Sequence, residues 1–191
     1  MLSVSITGYA PPCSNNSGGI SRAWVFDPAD MDFTQATETD PYTAVALVAG
    51  ATVVGGSGFK PIKFDYLEAE HKAVQSLKGS SNKWAHTLAL QVPQHGQKLS
   101  EFLLKQSIAS SCGSLGFVIE QNNGKVIVIG ESVVNASTIP VFRIVMDGTE
   151  DGSGKAFDDV NGAKLMYKGD YSRPAWEYTG GIDAIIALQG V

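Results

Sequence analysis

Residues 83–92 read KWAHTLALQV, and their alternation decides the class of fold. Trp84, His86, Leu88, Leu90 and Val92 fall on one side of an extended chain, and Ala85, Thr87, Ala89 and Gln91 on the other, because successive side chains of a strand point to opposite faces. A bulky face backed by a small, mildly polar one describes a strand with one side in a core. Upstream, Ile62, Phe64 and Tyr66 share a face opposite Lys63 and Asp65, and Gly79-Ser80-Ser81-Asn82 carries turn chemistry. The spacing predicts one long β-hairpin from Pro61 to Val92. Such a ribbon needs company along its edges, where backbone groups would otherwise go unpaired.

Outward from this hairpin, glycine clusters cut the chain into short segments rich in β-branched and aromatic residues, as strands require. Arg22 to Asp27 (RAWVFD) is one predicted strand, and Thr43 to Val54, interrupted near Gly50, is another. Leu115 to Gln121 and Lys125 to Glu131 flank Asn122-Asn123-Gly124; Asn-Gly between Val/Ile-rich runs is the strongest hairpin signal in the chain. Further strands are predicted at Pro140 to Met146, Ala163 to Gly169 and Ala184 to Leu188. Gln97 to Ala109 departs from the β pattern. Leu99, Phe102, Leu103 and Gln106 recur at helical spacing there, with Leu104 and Ile108 widening the apolar stripe. A helix packed against a sheet is expected.

The 191 residues (20.2 kDa) fit a single domain. No apolar run approaches the ~18 residues that cross a bilayer; the longest, Ala44 to Val54, contains Gly50 and Thr52. Met1 to Ala10 lacks a basic leader and a long apolar stretch, so no secretory signal is expected. Cys13 and Cys112 are expected as free thiols rather than a bridge. The net charge of −5 is unevenly spread: residues 1–59 carry five acids and one base, 60–110 four and seven, 111–191 ten and six. That order argues against a general nucleic-acid binder, which needs a broad cationic surface. It suits like subunits docking acidic patches on basic ones, or simply a mixed solvated surface.

Catalytic and metal signatures are sparse. His71, His86 and His95 stand in no zinc-ligand pattern, and no Gly-x-Ser-x-Gly elbow occurs. Gly152-Ser153-Gly154-Lys155 lacks the hydroxyl residue and the following helix of a phosphate loop. Glu68 with Glu70, and Asp158 with Asp159, are carboxylate pairs of ordinary strand and loop spacing. Asp147, Asp151 and Asp158 occupy three positions of a twelve-residue calcium loop, but Thr149 and Lys155 take ligand positions. They are a weak Ca²⁺ candidate within an acidic, Gly-rich loop at 147–161. Trp176-Glu177-Tyr178 has the composition of a sugar platform, with core or subunit interface the plainer reading. No enzyme activity, cofactor or resident metal is expected.

The order of features resembles the tail tube proteins of tailed bacteriophages, related to the inner tube of contractile injection systems. An N-terminal arm (1–19), the hairpin region Pro61 to Val92, the helix Leu99 to Ile108 and the Gly-rich stretch Asp158 to Val191 carry the resemblance. The last of these includes Arg173-Pro174-Ala175-Trp176 and Gly180-Gly181-Ile182-Asp183. It implies a β-sandwich or half-barrel with one flanking helix, in which six copies close a ring and their sheets merge into one barrel. Stacked rings would form a conduit through which phage DNA passes without specific binding. The implied partners are further copies and other tail proteins, not a membrane; the implied location is the virion tail, after assembly in the host cytoplasm. Phe64, Tyr66, Trp84, His86, Leu88 and Trp176 are the subunit-interface candidates. Lys60, Lys63, Lys72, Lys78 and Lys83, in or beside the hairpin, depart from what a DNA-repelling wall requires. The alternatives are another virion part (tail terminator, adaptor or head-decoration protein) or a carbohydrate-binding β-sandwich using Trp176, Tyr178 and a Ca²⁺-loaded loop.

Overall fold

The computed structural model describes residues 19–36, 40–53, 56–65, 69–78, 81–93, 96–112, 115–130, 145–152, 162–171 and 174–190. Its strands are β1 (Ile20–Phe26), β2 (Met31–Thr34), β3 (Ala44–Leu47), β4 (Lys60–Ile62), β5 (Glu70–Lys78), β6 (Ser81–Pro93), β7 (Gly116–Gln121), β8 (Val126–Ile129), β9 (Val145–Met146), β10 (Glu150–Gly152), β11 (Gly162–Tyr171) and β12 (Trp176–Tyr178). The helices are α1 (Gln97–Cys112) and α2 (Ile182–Ala187), with a 3₁₀ turn at Pro28–Asp30. The pairings between these strands are antiparallel: sheet 1 runs β12-β8-β7-β1-β4, sheet 2 runs β10-β11-β6-β5 with β9 also on β11, and β2 pairs β3; isolated parallel bridges join Tyr42 to Tyr178 and Phe59 to Gln189. The architecture is a mainly β sandwich with a flanking helix, and it does not close into a barrel.

Sheet 1 is covered on both faces, which explains why its strands read as unbroken apolar runs rather than alternating ones. From β1, Ala23 and Val25 enter a first core and Trp24 and Phe26 a second; from β7, Phe117 and Ile119 enter the first and Val118 the second. The first core lies between the two sheets, where Leu88, Leu90, Leu165 and Tyr167 of sheet 2 meet those side chains, and Leu99 of α1 joins them. The second core is aromatic: Phe26 and Phe33 stand 5.4 Å apart, Phe26 and Phe59 5.4 Å, and Phe33 and Tyr42 5.3 Å between ring centroids. These tilted and edge-on separations are the favourable ones for aromatic pairs.

The β7–β8 hairpin forms around Asn-Gly as expected. Gly124 takes φ +81 and donates its N–H to the Gln121 carbonyl at 2.8 Å, a left-handed position that glycine adopts without steric cost. The β5–β6 hairpin also forms, but its register pairs Lys78 with Ser81, leaving only residues 79 and 80 between the strands.

Three expectations require correction. The first strand of the long hairpin does not begin at Pro61: residues 60–62 are β4, which pairs with β1 at the edge of sheet 1. An edge is where a strand proline is tolerated, and burial of Ile62 in the first core outweighs continuity with Glu70–Lys78. The chain then crosses to sheet 2, with the Asp65 N–H donating to the Gln91 carbonyl at 2.7 Å. Ala184 to Leu188 is not a strand, since Ile182–Ala187 is helical. Gly181, at φ +87, turns the chain, and Ile185 is fully buried while Ile182 and Leu188 pack beside it on the second core, a spacing of three that suits a helix. The acidic loop is not open from 147 onward, because residues 150–152 pair with β11. β2, and β12 on the far edge of sheet 1, are strands that the pattern of residues did not announce.

Phe117 has no exposed surface and its ring lies 4.5 Å from that of Tyr167 across the sandwich. Truncation there leaves a cavity bounded by both sheets. Phe117→Ala is expected to lower unfolding stability by about 3–5 kcal/mol in urea titrations monitored by tryptophan fluorescence.

Candidate functional site

The feature least explained by the chain's own packing is the outward face of sheet 2. The alternation read from residues 83–92 is realised there: Leu88 and Leu90 are fully buried, whereas Ala85, Thr87, Ala89 and Gln91 are only half-buried. On either side of this small-residue row the register sets Glu70, Lys72 and Val74 of β5 and Lys164, Met166, Lys168 and Asp170 of β11. Val74 is 47% exposed, a large apolar side chain in a charged neighbourhood. No described element covers this face.

The edges of the two sheets differ. β4 and β12 are three residues long. The opposite edge of sheet 2 is broken: Met146 faces Tyr167 and Glu150 faces Lys164, so three residues of one strand span two of the other. That is a β-bulge, and Gly148 at φ +70 sits in it. Short strands and bulges are the usual means of blunting an edge. β5, with nine residues in unbroken register on β6, has neither device.

Behind β5, on the inner face, two imidazoles meet. His71 Nε2 and His86 Nδ1 are 3.2 Å apart, and the rings stack at 5.5 Å with an interplanar angle of 20°. One of these nitrogens therefore carries the proton and the other the lone pair. His86 is 2% exposed. Burial, with a smaller effect from His86, lowers the pKa of His71 to about 4, so the His71 ring is neutral at pH 7. The same interior raises the pKa of the Tyr167 phenol, whose oxygen is buried without a hydrogen-bond partner.

A groove of about 790 Å³ lies between α1 and the β1–β4 end of sheet 1. Phe26, Phe102 and Leu115 wall it, and Gln106 presents a buried Oε1 with no hydrogen-bond partner. Its ionic rim holds Asp27, Asp30 and Glu101 against Lys60, Lys98 and Lys105, so it favours neither sign of ligand.

The interface candidates separate under this geometry. His86 and Leu88 are buried on the core side of β6 and are not surface groups. Trp84 and Phe64 are half-buried against the first core, and Trp176 against the second. Tyr66 lies outside the described residues, as do Glu68, His95, Cys13, Asp158 and Asp159. The side chains of Asp151 and Cys112 are likewise undescribed. Of the hairpin lysines, Lys60 lies on sheet 1 and lines the groove, while Lys72 is exposed on the outer face of sheet 2. Asp147 pairs with Lys168 at 2.5 Å, so its carboxylate already has a cation. Among the described residues no group of three or more His, Cys, Asp or Glu is placed to hold a metal ion. The sugar-platform reading loses its geometry, because Tyr178 is 3% exposed and Glu177 pairs with Lys125 at 3.1 Å.

Sequence reasoning placed His86 on the bulky face of its strand and missed its partner. The signal was present in the alternation: positions 71, 73 and 75 share the face of 84, 86 and 88 once Lys78 and Ser81 are paired. No described helix is long and apolar enough to cross a membrane. Comparison with protein-family models, curated proteins and solved structures finds no match for this chain.

Histidine ¹H–¹⁵N spectra recorded from pH 8 to pH 3.5 should show the His71 ring titrating near pH 4. A midpoint near the ordinary value of about 6.5 would contradict the burial described here.

Proposed function

We propose that the chain is a self-assembling structural subunit of the tail-tube kind, which closes into rings that stack around a channel for phage DNA. The observation that carries this reading is the contrast between edges. Among the described residues, β5 is a nine-residue edge strand without bulge or proline, beside a sheet face that no described element covers, while the other edges of the two five-stranded sheets are short or bulged. A long regular edge invites a further strand. Pairing between two different edges is heterologous, and such contacts propagate around a ring until it closes. The order of the chain, with a hairpin, an amphipathic helix, a second hairpin and a late long strand, supports the same assignment, as does the surplus of acids over bases. The lysines on the outer face have carboxylate neighbours in Glu70, Glu150 and Asp170, which moderates the cationic character a channel wall would have to avoid.

The test is negative-stain microscopy of the purified protein together with light scattering. Rings or filaments with axial periodicity are expected. Val74→Asp, at an exposed position of β5, is expected to shift unfolding by no more than about 0.5 kcal/mol while preventing assembly. A monomer at all concentrations, or a simple two-fold dimer through β5, would overturn the proposal.

A further inference from the structure

The groove between α1 and the β1–β4 end of sheet 1 holds a polar group that the chain itself does not satisfy. Gln106 of α1 lines the groove and is 8% exposed. Its Oε1 is buried without a hydrogen-bond partner, and neither end of the carboxamide is bonded to any of the described residues. Burying such a group costs stability unless something bonds it. We infer that the groove is a binding site for a short extended peptide segment, which Gln106 holds by its backbone and the rim holds by side chains of opposite charge. This goes beyond the assembly proposal, which concerns β5 and sheet 2, and does not depend on it.

Size and polarity fit that occupant. A volume of about 790 Å³ is ordinary for a ligand pocket. Lys98 and Lys105 both line it and are seven residues apart on α1. That is about 10 Å of helix, the length of about three extended residues. A carboxamide offers an acceptor and a donor side by side. Each residue of an extended chain turns its own N–H and C=O to the same side, as paired residues of an antiparallel ladder do. One such residue therefore suits both ends of the Gln106 amide. Alternation then sends one side chain toward Phe26, Phe102 and Leu115 and its two neighbours toward the rim.

The rim is polarised. α1 contributes Lys98 and Lys105 against Glu101, and the opposite wall contributes Asp27 and Asp30 against Lys60. Asp27 already caps the 3₁₀ turn, accepting from the Ala29 N–H at 2.9 Å, and Glu101 accepts from Gln97 Nε2 at 3.1 Å. The side chains of Lys98, Lys105 and Asp30 have no ionic partner among the described residues. A ligand of one sign gains at one wall and loses at the other. A segment with an acidic side chain toward α1 and a basic one toward the aspartates gains at both. Gly56, Gly58 and Gly190 put backbone rather than side chains on the second wall, which leaves room for a main chain to approach.

Isothermal titration calorimetry of the full chain with capped tripeptides provides the test. Acetyl-Glu-Leu-Lys-amide and acetyl-Lys-Leu-Glu-amide cover the two chain directions, and acetyl-Gln-Leu-Gln-amide is the uncharged control. One charged peptide is expected to bind with a Kd below about 1 mM, about fivefold more tightly than the control. Gln106→Leu, close in volume, should weaken that binding by about five- to tenfold without lowering the midpoint of thermal unfolding. Lys98→Gln combined with Lys105→Gln, both on the helix surface, should erase the preference for the charged peptide. No binding of either charged peptide at about 5 mM overturns the site, as does binding that Gln106→Leu leaves unchanged. A lower midpoint or a misfolded Gln106→Leu shows that the chain itself needs the amide, and overturns its role in binding. A charge preference that survives the double lysine variant overturns the role of the rim. Adenosine also presents a donor and an acceptor to a carboxamide, and tighter binding of adenosine than of every peptide overturns the peptide assignment.

Discussion

The constraint on which the rest of this structure depends is that sheet 1 must be buried on both faces. Its three middle strands carry apolar side chains to either side, with Val118 and Ile119, or Val128 and Ile129, as adjacent residues pointing into different cores. Each such side chain contributes about 1.5–3 kcal/mol when fully buried, so neither face can be left to solvent. Sheet 2 covers one face. The β2–β3 pair, Phe59, Tyr42 and α2 cover the other. The C-terminal helix is thus a lid on the second core, anchored by the Phe59 N–H donating to the Leu188 carbonyl at 3.0 Å and by the Gly190 N–H donating to the Phe59 carbonyl at 2.9 Å.

Sheet 2 has the opposite economy. Its inner face is spent on the first core, and its outer face carries small and charged side chains that a solvent boundary tolerates. What such a boundary does not explain is the length of β5. Among the described residues the other edges of the two large sheets are blunted by brevity or by a bulge at Gly148, so the regular nine-residue edge stands out by comparison within one molecule. The histidine pair behind it adds a second contrast. A strand position on an apolar face is ordinarily filled by an aliphatic residue, and two imidazoles there accept a solvation cost that Leu or Val would not carry.

Short segments are where reading the chain and observing it diverge. Pro61-Ile62 alternates in phase with Phe64, and nothing local separates it from the strand that follows; only the competing partner, β1, draws it to the other sheet. Ile182 to Ala187 is six residues long, and a run of Ile and Ala this brief satisfies either period. The helix wins because a spacing of three brings Ile182, Ile185 and Leu188 to the second core together. The β9–β10 edge exists only as pairing to β11, since neither piece exceeds three residues.

The amino-acid sequence by itself determined the mainly β class, the hairpin at Asn122-Asn123-Gly124, the long strand through KWAHTLALQV and the helix that begins at Gln97. Each is set by interactions between residues close in the chain: turn geometry, period-two or helical alternation, and backbone freedom at glycine. Tertiary structure alone decided which sheet received β4, that the C-terminal run is helical, which edge remained long and regular, and that His71 meets His86. Those outcomes depend on contacts between residues distant in the chain, and their free energy appears only when two surfaces exclude water together.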